Sequence, residues 1–283
     1  MLNTGPSITT VTHTPNRGTS DQAIAVTAIL KARAAPIAKV ELVFRILFGE
    51  ERRLAMTETG NGEFTAEIPA GAFDQGDMVR YSVSASDADG RASRAPEFLR
   101  PEQSAAYFGA LIEDADIPET KLPVVEWFVE DPGWHREAGG NNRDWTFASL
   151  FYGGNFYDNI RVRTRGGVTQ RLPKPNLKFD FYNGGHFIYD PEEEPVEEFN
   201  LQSFAGEIWT PSYMRNPLAY KTYREAVMPA PFSFHVHVRQ NGGSARSMRT
   251  PHPATRMRST SRSSTRGRLQ STSRVGGSRA RLN

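Results

Sequence analysis

The sequence of 283 residues contains no cysteine, which excludes disulfide bonds, cysteine-ligated zinc and thiol nucleophiles. It contains no run of roughly 18 apolar residues, so no membrane-spanning segment is predicted. The opening residues MLNTGPSITT have neither a basic stretch nor an apolar run, and no signal peptide is predicted from them. These absences leave the cellular compartment undetermined.

Several catalytic motifs are also missing. There is no Walker A sequence, GxGxxG, HRD-like loop or HExxH, and no Ser/His/Asp arrangement can be argued. The common signatures of P-loop NTPases, dinucleotide-binding enzymes, typical protein kinases and zinc proteases are therefore excluded.

Acidic residues are lacking in one part of the chain only. From Ser244 to Asn283 there are ten arginines, no lysine and no acid. The preceding residues hold the other 24 basic residues against all 32 acidic ones, which gives a net charge of −8. The basic tail has almost no large apolar residue, so we predict disorder over 244–283 and nonspecific attraction to polyanions. No aromatic residue interleaves the arginines, which makes a dedicated nucleic-acid arm the weakest interpretation.

Residues 1–100 predict a β-sandwich of the immunoglobulin or fibronectin type III kind. Gly60-Asn61-Gly62 and Asp87–Gly90 are turn sequences between alternating strands, and Tyr81 is predicted to be the corner tyrosine. Asp87 and Asp89 supply too few oxygens for calcium, so a plain turn is expected. Seven strands are predicted: SITTVTHT, QAIAVTAIL, AKVELVFRILF, RRLAMTET, EFTAEIPA, MVRYSVSAS and ASRAPEFL.

Residues 101–121 have few periodic features and are interpreted as a connector. In the segment 122–243 that follows, LPVVEWF predicts a buried strand, and two further strands are predicted over 158–166 and 176–183. Arg161, Arg163 and Arg165 should share one strand face, because alternate residues point the same way. A helix around 210–226, with Asn216 as the preferred cap and Pro217 opening it, precedes a strand over 232–240.

A loop that begins with Gly166-Gly167 and contains Lys174 joins the strands predicted over 158–166 and 176–183. Glycines let the backbone approach phosphates, and a nearby ammonium group neutralises phosphate charge, so the pattern is compatible with a nucleotide-binding hairpin. An ordinary hairpin turn with a solvated arginine face explains the same residues. The residues alone leave both interpretations open.

Three other groups also have a functional and an ordinary interpretation. His235 and His237 share a strand face, which suits a metal, but no third ligand is evident. The glutamates could bind a basic partner or form a solvated loop: Glu192, Glu193, Glu194, Glu197 and Glu198. The aromatic residues could form a sugar-stacking platform or core packing: Trp127, Trp134, Trp145, Phe147 and Tyr152.

Residues 122–243 resemble the spore coat protein H (CotH) kinase family. The resemblance is carried, in order, by LPVVEWFVEDPGW, YGGNFYDNIRVRTRGG, LPKPNLKFDF, VEEFNLQSF, SYMRNPLAYKTYREA and FHVHVRQNG. It implies an incomplete α+β atypical-kinase-like domain behind the sandwich, and ATP and Mg²⁺ as cofactors of the intact family. It also implies coat or cell-surface proteins as partners, and a coat or surface location for family members.

By the same resemblance, Lys174 is the candidate phosphate-contacting lysine, with Arg163, Arg165 and Gly166 beside it. The helix carrying Glu225 would take the place of the kinase αC helix. Glu225 could then pair with Lys174, although an exposed helix glutamate is the simpler interpretation.

The sequence departs from the family after Asn241-Gly242. The family continues with acids that serve as catalytic base and magnesium ligands, whereas residues 244–283 contain none. We therefore expect no catalytic and no metal-binding residue, and an inactive kinase fragment. The alternative is a noncatalytic surface-attachment or structural module. A tail of Arg, Ser, Thr, Pro and Gly is typical of a GC-rich gene read out of frame, so we interpret it as a frameshift.

Overall fold

The computed structural model describes residues 5–98, 100, 102–115, 120–135, 144–167, 175–203, 213–242 and 255–259. Within these ranges the chain is mainly β with one helix, which confirms the predicted mainly-β class. The first strands are β1 (Ser7–Thr14), β2 (Arg17–Gly18), β3 (Ile24–Lys31), β4 (Ile37–Ile46), β5 (Arg52–Ala55), β6 (Thr57–Gly60), β7 (Glu63–Ile68), β8 (Met78–Asp87), β9 (Ala92–Ala95) and β10 (Phe108–Ile112). Then follow β11 (Val124–Val129), β12 (Thr146–Tyr152), β13 (Asn155–Arg165), β14 (Asn176–Asp180), β15 (Glu198–Gln202), α1 (Arg215–Glu225), β16 (Ser233–Gln240) and β17 (Thr255–Ser259).

Strands β1 to β10 form two sheets around one core. The first has the order β1-β3-β7-β6, and the second has the order β2-β10-β8-β4-β5 with β9 beside β8. In β3, alternate side chains point to the core. Ile24, Val26, Ala28 and Leu30 are buried, while the residues between them are more exposed. Two sheets thus form where alternating residues predicted them, and the closer likeness to immunoglobulin or fibronectin domains stays a prediction.

The structure differs from the predicted strands at two places. The strand predicted over residues 52–59 divides at the buried Met56 into β5 and β6, which belong to different sheets. The segment 101–121, predicted to be a connector, contains β10, which pairs antiparallel with β8 and parallel with β2. An inner strand of the second sheet therefore lies where the sequence showed little periodicity.

Tyr81, predicted to be the corner tyrosine, has a side-chain partner in the structure. A corner tyrosine would bond to nearby backbone, whereas the Tyr81 hydroxyl lies 2.6 Å from Nδ1 of His13. Nε2 of His13 lies 3.1 Å from Oδ1 of Asn16, whose amide donates to the carbonyl oxygen of Gly154 at 3.2 Å. Tyr81 therefore does not show the contact typical of a tyrosine corner, and its hydroxyl links β8 to β1.

Acidification should destabilise the protein through His13. Burial lowers the pKa of the His13 imidazole below its usual value of 6.5. The unfolded chain therefore takes up the proton first, and the free energy of unfolding falls as the pH drops below about 6.5. Between about pH 7.5 and pH 5.5, the His13→Gln variant should lose less stability than the parent in urea titrations. Equal losses in the two proteins would contradict this role of His13.

Strands β11 to β17 close into a barrel in the order β11-β12-β13-β14-β15-β17-β16. β17 pairs antiparallel with both β15 and β16, so it satisfies the backbone groups of two strand edges. The sequence predicted disorder over 244–283, and this strand corrects that prediction for residues 255–259. The other residues of that tail lie outside the described ranges.

The barrel core is rich in aromatic rings. Phe179 stacks on Phe199 at 4.8 Å between ring centroids, and Trp127 meets Phe179 edge-on at 5.4 Å. Trp127, Trp134 and Tyr152 belong to this core, which supports the packing interpretation for these three residues of the predicted aromatic group.

Helix α1 begins two residues earlier than the sequence predicted. Met214 is its N-cap without a side-chain hydrogen bond, so Asn216 is not the cap. Pro217 lies in the first turn, where backbone N–H groups have no partner within the helix, and the proline therefore breaks no helical bond. None of the helix residues is buried.

In the described part of the chain, no helix is long and apolar enough to cross a membrane.

The sandwich and the barrel share a buried apolar contact. β11 is buried on both faces, because its inner residues face the barrel core while Phe128 packs toward the sandwich. Phe128 and Phe151 from the barrel cluster with Met78 and Leu111 from the sandwich, and all four are at most 6% exposed. The two units are therefore joined through a common core.

Asp158 on β13 adds a buried polar link between the two units. Its Oδ1 accepts hydrogen bonds from Nε of Arg80 at 3.1 Å and from the hydroxyl of Ser149 at 2.7 Å. Its Oδ2 accepts from the backbone N–H groups of Ala106 and Tyr107 at 3.0 and 2.8 Å. The Asp158 side chain is fully buried, and that of Arg80 is 9% exposed. Each oxygen of this carboxylate thus accepts hydrogen bonds from two groups, which uses most of its hydrogen-bonding capacity.

A second polar network joins the units at the start of β11. Glu126 lies 3.4 Å from Arg239 of the barrel and 3.4 Å from Arg17 of the sandwich. Arg239 also pairs with Asp114 and donates to the carbonyl oxygen of Gly242 at 2.8 Å. Glu126 and Arg239 are both buried, so each depends on the other for charge compensation.

The Asn241-Gly242 turn, part of the family resemblance, has a structural role. The side chain of Asn241 accepts from the backbone N–H of Val129 at 2.9 Å and donates to its carbonyl oxygen at 2.8 Å. Gly242 lies against Gly76 of the sandwich so closely that a Cβ on Gly76 would stand 2.6 Å from the Gly242 carbonyl oxygen. Both glycines are therefore required by backbone-to-backbone contact.

Candidate functional site

The hairpin of β13 and β14 carries the residues that the sequence singled out. The strands pair antiparallel and end with Arg165 opposite Asn176. The predicted faces are confirmed: the inward side chains of β13 are buried, whereas its arginines are partly exposed on the outer face. The inward set is Ile160, Val162 and Thr164, and the outward set is Arg161, Arg163 and Arg165.

The loop between the strands begins at Gly166. This residue has φ of +100°, a conformation that strains residues with a Cβ. Arg163, Arg165 and Gly166 thus lie together at one end of the hairpin. Lys174 lies outside the described residues, so its position relative to them stays a prediction.

Arg161 is held by acids and is a structural residue of the hairpin. Its Nε lies 3.1 Å from Oδ2 of Asp180 on the neighbouring strand, and its Nη1 lies 3.5 Å from Glu102. Lys178, the cross-strand neighbour of Arg163, pairs in turn with Glu198. The carboxylates on this face are therefore occupied by cations of the protein itself.

Arg163 differs from Arg161 in its hydrogen bonding. Its guanidinium carbon lies 4.6 Å from the centroid of the Trp145 ring, a distance typical of a cation–π contact. Its Nε is buried and has no hydrogen-bond partner among the described residues. An unsatisfied buried donor is unfavourable by about 1–3 kcal/mol.

Sequence reasoning missed the roles of Trp145 and Lys178. Trp145 was grouped with aromatic residues of core or platform type, but it packs on the guanidinium groups of Arg161 and Arg163 instead. The signal was available in part, because Trp145 directly precedes β12, which pairs with β13. Phe147 of the same group is 40% exposed, which is also not a core position.

The sequence offered two possible sites for a metal ion, His235 with His237 and Asp87 with Asp89. Among the described residues, no group of three His, Cys, Asp or Glu side chains is placed to hold a metal ion. Nε2 of His235 lies 3.0 Å from the carbonyl oxygen of Tyr213. Asp87 accepts from the backbone N–H groups of Asp89 and Arg91, which is the plain turn that the sequence predicted.

Glu225 is an exposed glutamate of the helix, which is the simpler of the two interpretations given to it from the sequence. It lies 3.7 Å from Lys221 one helical turn away, and both side chains are 66% exposed. A pair this exposed contributes little to stability.

A small apolar pocket lies at the opposite end of the barrel. It has a volume of about 270 Å³ and is lined by Pro123, Val124, Tyr152, Gly153, Asn155, Ile188, Tyr189 and Pro191. β13 runs from Asn155 at the pocket to Arg165 beside Gly166. At about 3.3 Å per residue, the strand separates the pocket from the arginine end of the hairpin by roughly 30 Å. Burial raises the pKa of Tyr189 to about 12, so this residue is a neutral phenol at ordinary pH.

Comparisons with known proteins identify one family. Residues 162–247 match the family described as CotH kinase protein. No curated protein matches the chain. Among solved structures, "Br derivative BhCBM56" is 15% identical with a TM-score of 0.24, over 39% of this chain and 95% of that one. Spo0M, a sporulation control protein from Bacillus subtilis, is 9% identical with a TM-score of 0.25, over 72% of this chain and 93% of that one. Such low scores carry no argument.

Proposed function

We propose that this chain is a CotH-type module that holds the phosphates of ATP without transferring them, a proposal supported by the match of residues 162–247 to the CotH kinase protein family. The contact is at the outer end of the β13–β14 hairpin. The observation that carries the proposal is the pair Arg163 and Arg165, partly exposed on the outer face of β13, directly before the loop that begins at Gly166. Lys174 would add a further cation, as the family resemblance implies.

Phosphate fits the described residues better than magnesium does. Guanidinium groups match the oxygens of a phosphate geometrically, and Trp145 holds the plane of Arg163 in one orientation. The carboxylates on this face, Asp180 and Glu198, already pair with Arg161 and Lys178. Magnesium needs oxygen ligands, usually carboxylates, and these two acids would have to leave their cations to supply them.

The proposed lack of phosphoryl transfer follows from the lack of acidic residues in the tail. Phosphoryl transfer needs carboxylates that hold the metal and accept the hydroxyl proton. Between Ser244 and Asn283 the chain has no acid, and this is where the family resemblance places those groups. ATP would therefore bind but keep its γ-phosphate.

An ATP titration by calorimetry tests the proposal. The Arg163→Ala variant should bind ATP about tenfold more weakly, because it loses a charge-assisted hydrogen bond. Arg53→Ala, which removes an exposed arginine of the sandwich, should bind ATP as the parent does. The proposal fails if the parent shows no ATP affinity, or if it phosphorylates a protein at a rate that Lys174→Ala abolishes.

One observation favours a second candidate, a noncatalytic surface-attachment module. The sandwich and the barrel share a buried core, so the chain presents a continuous surface of two joined units. Coat or surface proteins would be the partners in that case. Absence of ATP affinity in the calorimetric titration is the result that this candidate requires.

A further inference from the structure

The exposed apolar residues of the protein are concentrated around α1. Eight large apolar side chains are exposed in the described ranges, and five of them lie between residues 214 and 228. We call these five the α1 patch: Met214, Leu218, Tyr223, Val227 and Met228. Singly scattered exposed apolar residues are normal, whereas these five are concentrated in one short stretch of the chain, 214–228, which favours an interaction surface.

Val227 is the most prominent member of the patch. It is 92% exposed and has φ of +58°, a conformation that is strained for a β-branched residue. The N–H groups of Val227 and Met228 donate to the carbonyl oxygens of Arg224 and Tyr223 at 2.9 Å, which closes the end of α1 and holds this conformation. The Val227 side chain is thereby held outward, where a second molecule can cover it. The adjoining helix is basic, with Arg215, Lys221 and Arg224 against Glu225.

The apolar pocket lies close to the α1 patch. Tyr189 of the pocket meets Phe232 at a tilt, with 5.4 Å between the ring centroids, and the guanidinium of Arg224 lies 4.0 Å from the Phe232 ring centroid. The pocket is bordered by exposed acids at Asp190 and over residues 192–194. One face of the protein thus carries an apolar projection with basic residues beside an apolar pocket with acidic residues.

From this arrangement we propose that the protein forms a two-fold symmetric dimer through this face. Val227 and Met228 of each copy enter the pocket beside Tyr189 of the other, and the acids over 192–194 face the basic helix of the partner. A surface that carries a projection together with a complementary pocket fits a second copy of itself, because a two-fold axis brings each to the other. Opposite charges at the rim favour the same orientation. This proposal is independent of ATP binding.

Sedimentation equilibrium of the full chain between about 1 and 100 µM should show a concentration-dependent monomer–dimer equilibrium. Val227→Gly is the decisive variant, because glycine accepts the positive φ and the fold should keep or gain stability. One buried valine is worth about tenfold in affinity, and the symmetry repeats the contact. The dimer dissociation constant should therefore rise about a hundredfold.

A second variant and a control complete the test. Asn155→Phe places a ring at the mouth of the pocket from an exposed position, and it should also dissociate the dimer. Ile29→Thr changes an apolar residue of the sandwich that is 36% exposed, and it should leave the equilibrium unchanged. A protein that stays monomeric over the whole range overturns the proposal. So does a dimer that Val227→Gly leaves intact, since its interface would lie elsewhere.

Discussion

Replacing Asp158 by alanine should lower the free energy of unfolding by about 3–5 kcal/mol, one of the two largest effects expected of a single substitution here. The change leaves the Arg80 guanidinium buried without its counter-charge, and it removes the acceptor of two backbone N–H groups and of Ser149. For a protein of this size, the midpoint of thermal unfolding should fall by about 10 °C. Differential scanning calorimetry measures both quantities.

Two further variants separate the ion pair from a general loss of charge. Glu225→Ala removes an exposed acid of α1 and should change stability by less than about 0.5 kcal/mol. The double variant Arg80→Met/Asp158→Ala should be more stable than Asp158→Ala alone, because no buried cation remains. If the two substitutions simply add, the buried pair does not hold the units together as described.

Gly242→Ala should be the second strongly destabilising substitution, by about 2–4 kcal/mol. Gly242 has φ of +76°, and a Cβ there would overlap the carbonyl oxygen of Gly76. The atom met is backbone, so relief requires moving the barrel away from the sandwich. That movement would also separate Met78 and Phe128, which lie in the shared cluster. Urea denaturation monitored by tryptophan fluorescence measures the loss.

Gly184→Ala is the matched control for this effect. Gly184 also has a positive φ, of +92°, but a Cβ there would meet no atom within 4 Å. It should lose only the backbone contribution, about 1 kcal/mol. Equal losses at the two positions would show that the contact between Gly76 and Gly242 has no energetic weight.

These two substitutions bear on the proposed function, because Asp158 and Gly242 both join the barrel to the sandwich. Asp158 precedes Arg161, Arg163 and Arg165 on β13, so fixing Asp158 helps to fix the strand that carries the candidate phosphate site. The sandwich therefore supports the hairpin and is not merely a separate unit attached to the barrel.

The sequence predicted the strands of the sandwich and the hairpin well where residues alternate. The outward arginines of β13 followed from a period of two, and so did the buried Ile160 and Val162. Asp158 escaped this reasoning because a bulge between Ala148 and Leu150 shifts the register of β12 and β13 beside it. A bulge redirects side chains, and no local pattern in the sequence announced it.

By itself, the sequence determined the mainly-β class, the face of each arginine on β13, and the lack of acids after Ser244. These depend on residue identity or on neighbours two positions apart. Only the tertiary structure decided that β10 joins the sandwich, that Tyr81 meets His13, that Asp158 pairs with Arg80, and that α1 stays exposed. Each of these depends on segments distant in the chain, and a contact between Arg80 and Asp158 leaves no periodic trace in either local sequence.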